Sequence, residues 1–191
     1  MLIRILPGFL GAVCAAFAQN DPAPVVTIAP PAPRTAIEDF LARKDGIIAK
    51  EFHLLGRVAE IRVETLILSQ PGKEGPRPRG LRILIIREPV PVGAKIALVD
   101  MDELDGLSRA LNYMLNAIAE WQGSSRDYTE MVFSTRGDLQ VGFTITSGKL
   151  QTFVRTGALG STVITMMDRD RISALRELIE QGREYLAAQR R

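Results

Sequence analysis

A short motif occurs twice in this chain, and its repetition is the feature that most constrains the fold. The stretch "DMDELDGL" begins at Asp100 and "DRDRISAL" begins at Asp168, 68 positions later. Each copy lies between an apolar segment typical of a strand and an amphipathic segment typical of a helix. Self-similarity at a fixed separation indicates an internal duplication. We therefore expect an α+β fold with two β-rich halves, each of about four antiparallel strands followed by one C-terminal helix.

The segments around the two motifs carry the periodicities that this fold requires. The first half contains "IIAKEFHLLGRV", "AEIRVETLILS", "LRILIIRE" and "AKIALVD", and the second contains "DYTEMVFST", "LQVGFTIT", "KLQTFVR" and "TVITMM". Branched and aromatic residues that alternate with polar ones favour strands. Apolar residues at helical spacing run from Leu104 to Trp121 and again from Arg169 to Ala188. We expect each helix to pack across the sheet of its own half, and the offset of 68 aligns "EIRVETLIL" with "YTEMVFST".

The N-terminus has the layout of a secretory signal peptide. Arg4 precedes an apolar run, and Ala16 and Ala18 form a small-x-small cleavage site. This layout predicts a signal peptide over 1–18, a mature chain that begins at Gln19, and a periplasmic or secreted location. The apolar run is shorter than the roughly 18 residues that span a bilayer, so no membrane span is expected after cleavage.

The mature chain is predicted to have a tether followed by one folded domain. Residues 19–34 contain five prolines and favour an exposed, extended segment. The α+β domain is expected over 35–188, with halves at about 35–123 and 124–188, and it begins with the amphipathic stretch "TAIEDFLARK". Signal cleavage would remove Cys14, the only cysteine. The mature protein would then have no disulfide and no thiolate site, although its compartment would permit disulfides.

Four carboxylates crowd the first motif: Asp100, Asp102, Glu103 and Asp105. A calcium loop that starts at Asp100 would need Gly where Asp105 stands, so that pattern fails. The second motif places arginines beside its aspartates, which would repel a cation. We interpret Asp100 and Asp168 as helix N-caps, because an Asp side chain accepts hydrogen bonds from the free amides of a first turn. No metal site is predicted.

The other motifs give no sign of catalysis or of a cofactor. His53, the only histidine, lies in a strand segment without a metal partner and is interpreted as a partly buried strand residue. No serine lies in a G-x-S-x-G or S-x-x-K motif, and no glycine-rich segment matches a phosphate loop. The "RGD" at 136–138 lies between two strands and is interpreted as a hairpin turn rather than an adhesion motif. No catalytic residue and no cofactor is predicted, and the enzyme question is left open with the balance toward no.

Two groups of residues are candidates for a ligand surface. In "KLQTFVR", one face carries Lys149, Gln151, Phe153 and Arg155. If Leu150, Thr152 and Val154 face the core, Phe153 would be an exposed ring between cations, which could stack a base or a sugar. The alternative, which the size of Phe favours, is the opposite register with Phe153 buried.

The second candidate group is the loop at 70–80, which is dense in Pro, Gly and charge. Lys73, Arg77 and Arg79, with Arg82 shortly after the loop, form the densest cationic feature of the chain, although Glu74 dilutes the charge. It could contact an anionic surface such as a glycan, a lipid head group or a nucleic acid. The alternative is an ordinary solvated loop.

The order of elements resembles the four-strand-plus-helix repeats of Pur-type and whirly nucleic-acid-binding proteins. The resemblance covers topology over most of the mature chain, includes no specific motif, and assigns no residue roles. Nucleic-acid binding through a sheet, which it implies, conflicts with export and with a formal net charge of only +2. The sequence therefore favours an exported soluble, non-enzymatic binding or interaction module, whose partner is an envelope or extracellular protein or an anionic surface. A hydrolase with a site of scattered carboxylates is the alternative.

Overall fold

The described part of the chain forms two four-stranded antiparallel sheets. The computed structural model describes residues 34–44, 46–86, 95–121, 127–157 and 162–189, so the predicted signal peptide and nearly all of the tether lie outside the described residues. Sheet A runs in the order β1 (Ala49–Val58), β2 (Ile61–Ser69), β3 (Arg79–Ile85), β4 (Lys95–Asp100). Sheet B runs in the order β5 (Tyr128–Ser134), β6 (Leu139–Thr146), β7 (Lys149–Thr156), β8 (Val163–Met167).

Each sheet is followed by a long helix, as the duplication predicts. A 3₁₀ turn (Met101–Glu103) leads from β4 into α2 (Leu104–Trp121), and α3 (Arg169–Ala188) follows β8. A shorter helix, α1 (Ala36–Leu41), precedes β1 and begins with a capping box in which Thr35 and Glu38 satisfy each other's backbone amides. The α+β class and the four-strand-plus-helix halves are confirmed.

The alignment of the strands between the two halves differs from the prediction. By order in the sheets, β5 corresponds to β1 and β6 to β2, whereas the offset of 68 aligned "EIRVETLIL", which is β2, with β5. The connection from β2 to β3 spans 70–78, while a two-residue turn, Ser147 and Gly148, joins β6 to β7. Because these connections differ in length, the offset of 68 aligns the two halves only at the junction between the last strand of each sheet and the helix that follows it.

The two long helices are exchanged between the sheets. Gly182 of α3 lies so close to Leu81 of β3 and Leu55 of β1 that an added Cβ atom would lie only 2.6 Å and 2.8 Å from them. The helix α3 therefore packs on sheet A. On α2, the Trp121 ring meets Phe143 of β6 edge-on at 5.7 Å, so α2 packs on sheet B. The prediction that each helix covers its own sheet is therefore wrong. The reason is the position of β4, which is the edge of sheet A that contacts sheet B, so a helix that leaves β4 lies over the neighbouring sheet.

One core fills the space between the inner faces of the sheets and the two long helices. A second, smaller cluster lies on the outer face of sheet A, where Ile37 and Phe40 of α1 pack on Leu66 and Leu68. This is why the second half of β2 is apolar on both faces: each face is covered, as in a strand buried between two layers. Of the described helices, only α1 packs on this outer face.

Candidate functional site

The two motif aspartates both cap helices, but not in the same way. Asp168 stands at the N-cap of α3 and accepts a hydrogen bond from the Arg171 amide at 2.8 Å, as predicted. The carboxylate of Asp100 accepts hydrogen bonds from the Ala36 amide at 2.6 Å and the Ile37 amide at 3.2 Å. Asp100 stands at the predicted N-cap position before α2, but the hydrogen bonds of its carboxylate cap α1, a helix far earlier in the chain, because the end of β4 lies beside the start of α1.

We expect Asp100→Ala to cost more stability than Asp168→Ala. Asp168 is an exposed cap, and its loss should lower the free energy of unfolding by about 0.5–2 kcal/mol. Asp100 is only 4% exposed, and its loss leaves two amides without their charged acceptor, so about 2–3 kcal/mol is expected. Urea unfolding of the two variants measures both values. Equal losses would contradict the capping of α1 by Asp100.

Three of the four carboxylates of the first motif are bound by Arg136, the arginine of "RGD", while Asp105 pairs with Arg183 at 2.7 Å. One guanidinium nitrogen of Arg136 lies 3.3 Å from Asp100 and also pairs with Asp102, and its Nε lies 3.5 Å from Glu103. The backbone amide of Arg136 donates to Glu103 at 2.7 Å. Burial raises the pKa of Asp100 above its ordinary value, while the amides of Ala36 and Ile37 and the charge of Arg136 oppose that rise.

This network connects the two halves of the fold. Asp100, Asp102 and Glu103 form a group whose spacing, within the described residues, could hold a metal ion. The Arg136 guanidinium already supplies a positive charge among them. Next to it, Gly137 forms an isolated bridge with Leu98 of β4. We therefore interpret the cluster as a structural link between the end of β4 and the hairpin turn from β5 to β6.

His53 lies on β1 and its ring stacks on Tyr185 of α3, with 4.5 Å between centroids and 6° between planes. The residue is exposed, not partly buried as the sequence suggested. The difference arises because β1 is an edge strand of sheet A, with β2 as its one neighbouring strand among the described residues.

The first candidate surface, on β7, is not an exposed aromatic platform. Thr152 lies on the inner face, so Gln151, Phe153 and Arg155 lie on the outer face, yet Phe153 is only 4% exposed. Gly142 stands directly opposite, and the ring lies over the space where its side chain would be. The Arg155 guanidinium covers the ring at 4.9 Å from its centroid. The burial of Phe153 is confirmed, but the expected reversal of register does not occur.

The charged neighbours of Phe153 are also partly engaged. Arg155 lies 3.3 Å from Glu130 of β5 and donates a hydrogen bond to Gln140 of β6. Lys149 and Gln151 are exposed near the start of β7. This set lies on sheet B, whereas Lys73 and Arg77 of the second candidate group belong to the connection from β2 to β3 in sheet A, and Arg79, expected in the loop, begins β3.

Two residues of the second candidate group, Lys73 and Arg77, line a cleft, which we call the basic cleft. The connection between β2 and β3 encloses, with the end of α1, a cleft of about 390 Å³. Three cationic residues, Arg43, Lys73 and Arg77, line it together with Glu74, and Phe40 lies beneath. Arg77 also bonds Glu51 of β1 at 3.1 Å.

Arg79 lines an adjacent, smaller cleft of about 290 Å³, which Arg77 also borders. Arg136 also borders this second cleft. Asp100 and Asp102 border it too, and they offset the charge of Arg136. The structure thus brings Lys73, Arg77 and Arg79 to two neighbouring clefts. Of these two clefts, the basic cleft keeps the larger net positive charge, because Glu74 is the one acidic residue among its described lining residues.

Arg43 is the cationic residue of the basic cleft that was not identified from the sequence. It follows α1, and its guanidinium stacks on Phe40 at 4.6 Å from the ring centroid. Phe40 and Arg43 are three positions apart, a spacing that places side chains on one side of a helix end. That spacing was a usable signal, but only the fold shows that Arg43 faces the connection between β2 and β3.

Comparison of the chain with protein-family models, with curated proteins and with solved structures finds no match in any of the three. Among the described helices, none is both long enough and apolar enough to cross a membrane.

Proposed function

We propose that this protein is an exported, non-enzymatic binding module that holds an anionic group of its ligand in the basic cleft. The observation that carries the proposal is the convergence of Arg43, Lys73 and Arg77 from two separate segments onto one concavity. Arginine and lysine are the side chains that bind carboxylates, sulfates and phosphates, and arginine can do so through two parallel hydrogen bonds. Glu74 and Glu51 balance only part of this charge.

The size of the cleft indicates the scale of the ligand group. About 390 Å³ is near the lower end of the roughly 300–1,000 Å³ of small-molecule sites. One acidic sugar or one phosphate-bearing head group fits such a volume. Both are anionic components of surfaces that an exported protein would meet.

The hydrolase alternative has less support. General acid–base catalysis needs a carboxyl group that is free to exchange a proton with a substrate. The described group of three close carboxylates is engaged by Arg136 and by the amides of α1. Nucleic-acid binding through sheet B also has less support, because Phe153 presents no free ring for stacking.

We expect the whole protein to bind a fluorescent sulfated tetrasaccharide and the double variant Arg43→Glu/Lys73→Glu to bind it at least about tenfold more weakly. Reversing two cations removes charge-assisted hydrogen bonds, and a factor of ten is about 1.4 kcal/mol. Fluorescence anisotropy at low and high salt measures this, with weaker binding expected at high salt. The matched control is Arg109→Glu/Lys149→Glu, which reverses two exposed cations outside the cleft. Equal losses in both double variants would indicate general electrostatics and contradict a specific site.

Export is tested separately. The order of Arg4, an apolar run and the Ala16–Ala18 site predicts that the protein isolated from its native host begins at Gln19. Intact-mass analysis gives the result directly, and a mature form that retains Met1 would contradict it.

A further inference from the structure

The first part of β1 is an exposed sheet edge. Within the described residues β1 pairs only with β2, and from Lys50 to Leu54 every residue is exposed. The pairing is regular up to Leu54, after which a bulge interrupts it. An edge strand presents backbone N–H and C=O groups that can accept a further strand.

The side chains of this edge form an apolar strip on the outer face of sheet A. Phe52 is 45% exposed and Leu54 is 54% exposed. They lie opposite Leu66 and Glu64 of β2, so both point to the outer face. A sheet edge that exposes apolar side chains can pair with a strand of another polypeptide, and charges beside it select which strand fits.

The charge around the strip is positive. Glu64, beside Leu54, is only 2% exposed, and it is bound by Arg62 at 2.6 Å and by Arg82 at 2.7 Å. One carboxylate is therefore shared between two arginines. Lys50 and Arg57 add two further cations at the ends of the strip, on the same face. The surface that a partner would meet combines apolar side chains with a net positive charge.

We infer that β1 binds an extended segment of a partner protein as an added antiparallel strand. Side chains of such a strand alternate between faces, so every second residue meets the outer face. Charge complementarity then sets the pattern of the partner: an acidic residue opposite Lys50, apolar residues opposite Phe52 and Leu54, and an acidic residue toward Arg57. A second copy of β1 has no acidic residue on this face, so the partner is a different chain.

A protein segment suits this strip better than a nucleic acid does. Phe52 is the aromatic ring of the strip, and the Arg82 guanidinium already covers it at 4.0 Å from its centroid. The neighbouring Leu54 is aliphatic, and an aliphatic side chain favours contact with apolar side chains over stacking on bases. The edge backbone groups match another polypeptide strand.

The test is anisotropy titration of the whole protein into a fluorescein-labelled peptide, Asp-Thr-Leu-Thr-Val-Thr-Asp. Its alternate residues reproduce the acidic–apolar–apolar–acidic pattern. We expect saturable binding, and binding at least about tenfold weaker for the peptide with both Asp replaced by Lys. Leu54→Asp should weaken binding by a similar factor. The matched control is Val132→Asp, which changes a 39%-exposed apolar residue on β5, the edge strand of sheet B, and should leave affinity within about twofold.

Lys73→Glu separates this site from the basic cleft, since it should leave peptide binding unchanged. Absence of peptide binding up to about 1 mM would overturn the inference, as would equal binding by Leu54→Asp with its circular dichroism intact. Loss of peptide binding in Lys73→Glu would move the site to the cleft and overturn it too. A thymidine oligonucleotide that binds through Leu54 when the peptide does not would assign the strip to nucleic acid instead.

Discussion

Neither half of this chain is expected to fold alone: residues 34–121 or residues 127–189, expressed separately, should give the spectrum of an unfolded chain. The reason is the exchange of helices between the sheets. Without α3, the inner face of sheet A loses the helix that packs on Leu55 and Leu81. Without α2, sheet B loses the helix that packs on Phe143. A four-stranded sheet with its apolar inner face open to water cannot offset its own conformational entropy.

Circular dichroism and amide NMR of each half measure this. Mixing the two halves in equal amounts should restore the folded spectrum, because each half carries the helix that the other lacks. The control is the whole chain with a protease site inserted between positions 121 and 127, which should remain folded after cutting. Cooperative unfolding of either isolated half would contradict the exchange.

Phe143→Ala is expected to lower the free energy of unfolding by about 3–5 kcal/mol. The ring is fully buried on the inner face of β6 and packs edge-on against Trp121 at 5.7 Å. Its removal leaves a cavity between α2 and sheet B and deletes an aromatic pair. The loss of stability should therefore come from the contact by which α2, from the first half of the chain, covers sheet B in the second half.

Trp121 is the only tryptophan, so its fluorescence reports this contact directly during denaturant unfolding. The matched control is Phe52→Ala, which removes a ring that is 45% exposed on β1 and should cost no more than about 1 kcal/mol. A loss of under about 1 kcal/mol for Phe143→Ala, or one equal to that of Phe52→Ala, would show that α2 does not depend on this contact.

The type of each element could be predicted from the sequence, and so could the buried face of the clearly periodic ones. The alternation of Leu139, Val141, Phe143 and Ile145 placed β6 in a sheet with one buried face, and all four residues are buried. In α3, Ile172, Leu175, Ile179 and Leu186 follow the helical spacing of apolar residues in the sequence, and all four are also buried. These predictions succeed because periodicities of 2 and 3.6 follow from the local geometry of the backbone. The N-cap at Asp168 is equally local, since the cap and its amide are three positions apart.

The candidate site was only partly accessible to sequence reasoning. The cationic connection was visible in Lys73 and Arg77, because a run of charge, Pro and Gly is a local signal. The contribution of Arg43 could not be read from the sequence, since it depends on how the end of α1 lies against that connection. On β7, the period correctly indicated two faces, but the burial of Phe153 on the outer face depends on Gly142 in the neighbouring strand.

The sequence by itself determined the repeated order of strands and helix, the buried face of the clearly periodic elements β6 and α3, and the location of the basic connection. Only the tertiary structure decided that α2 and α3 exchange sheets, that Asp100 caps α1, and that Arg136 occupies the acidic cluster. The physical reason is the same in each case. Local periodicity fixes which side of an element avoids water, but it contains no information about which distant element will cover that side. Asp100 and Ala36 meet across 64 positions, and that pairing exists only because β4 ends where α1 begins.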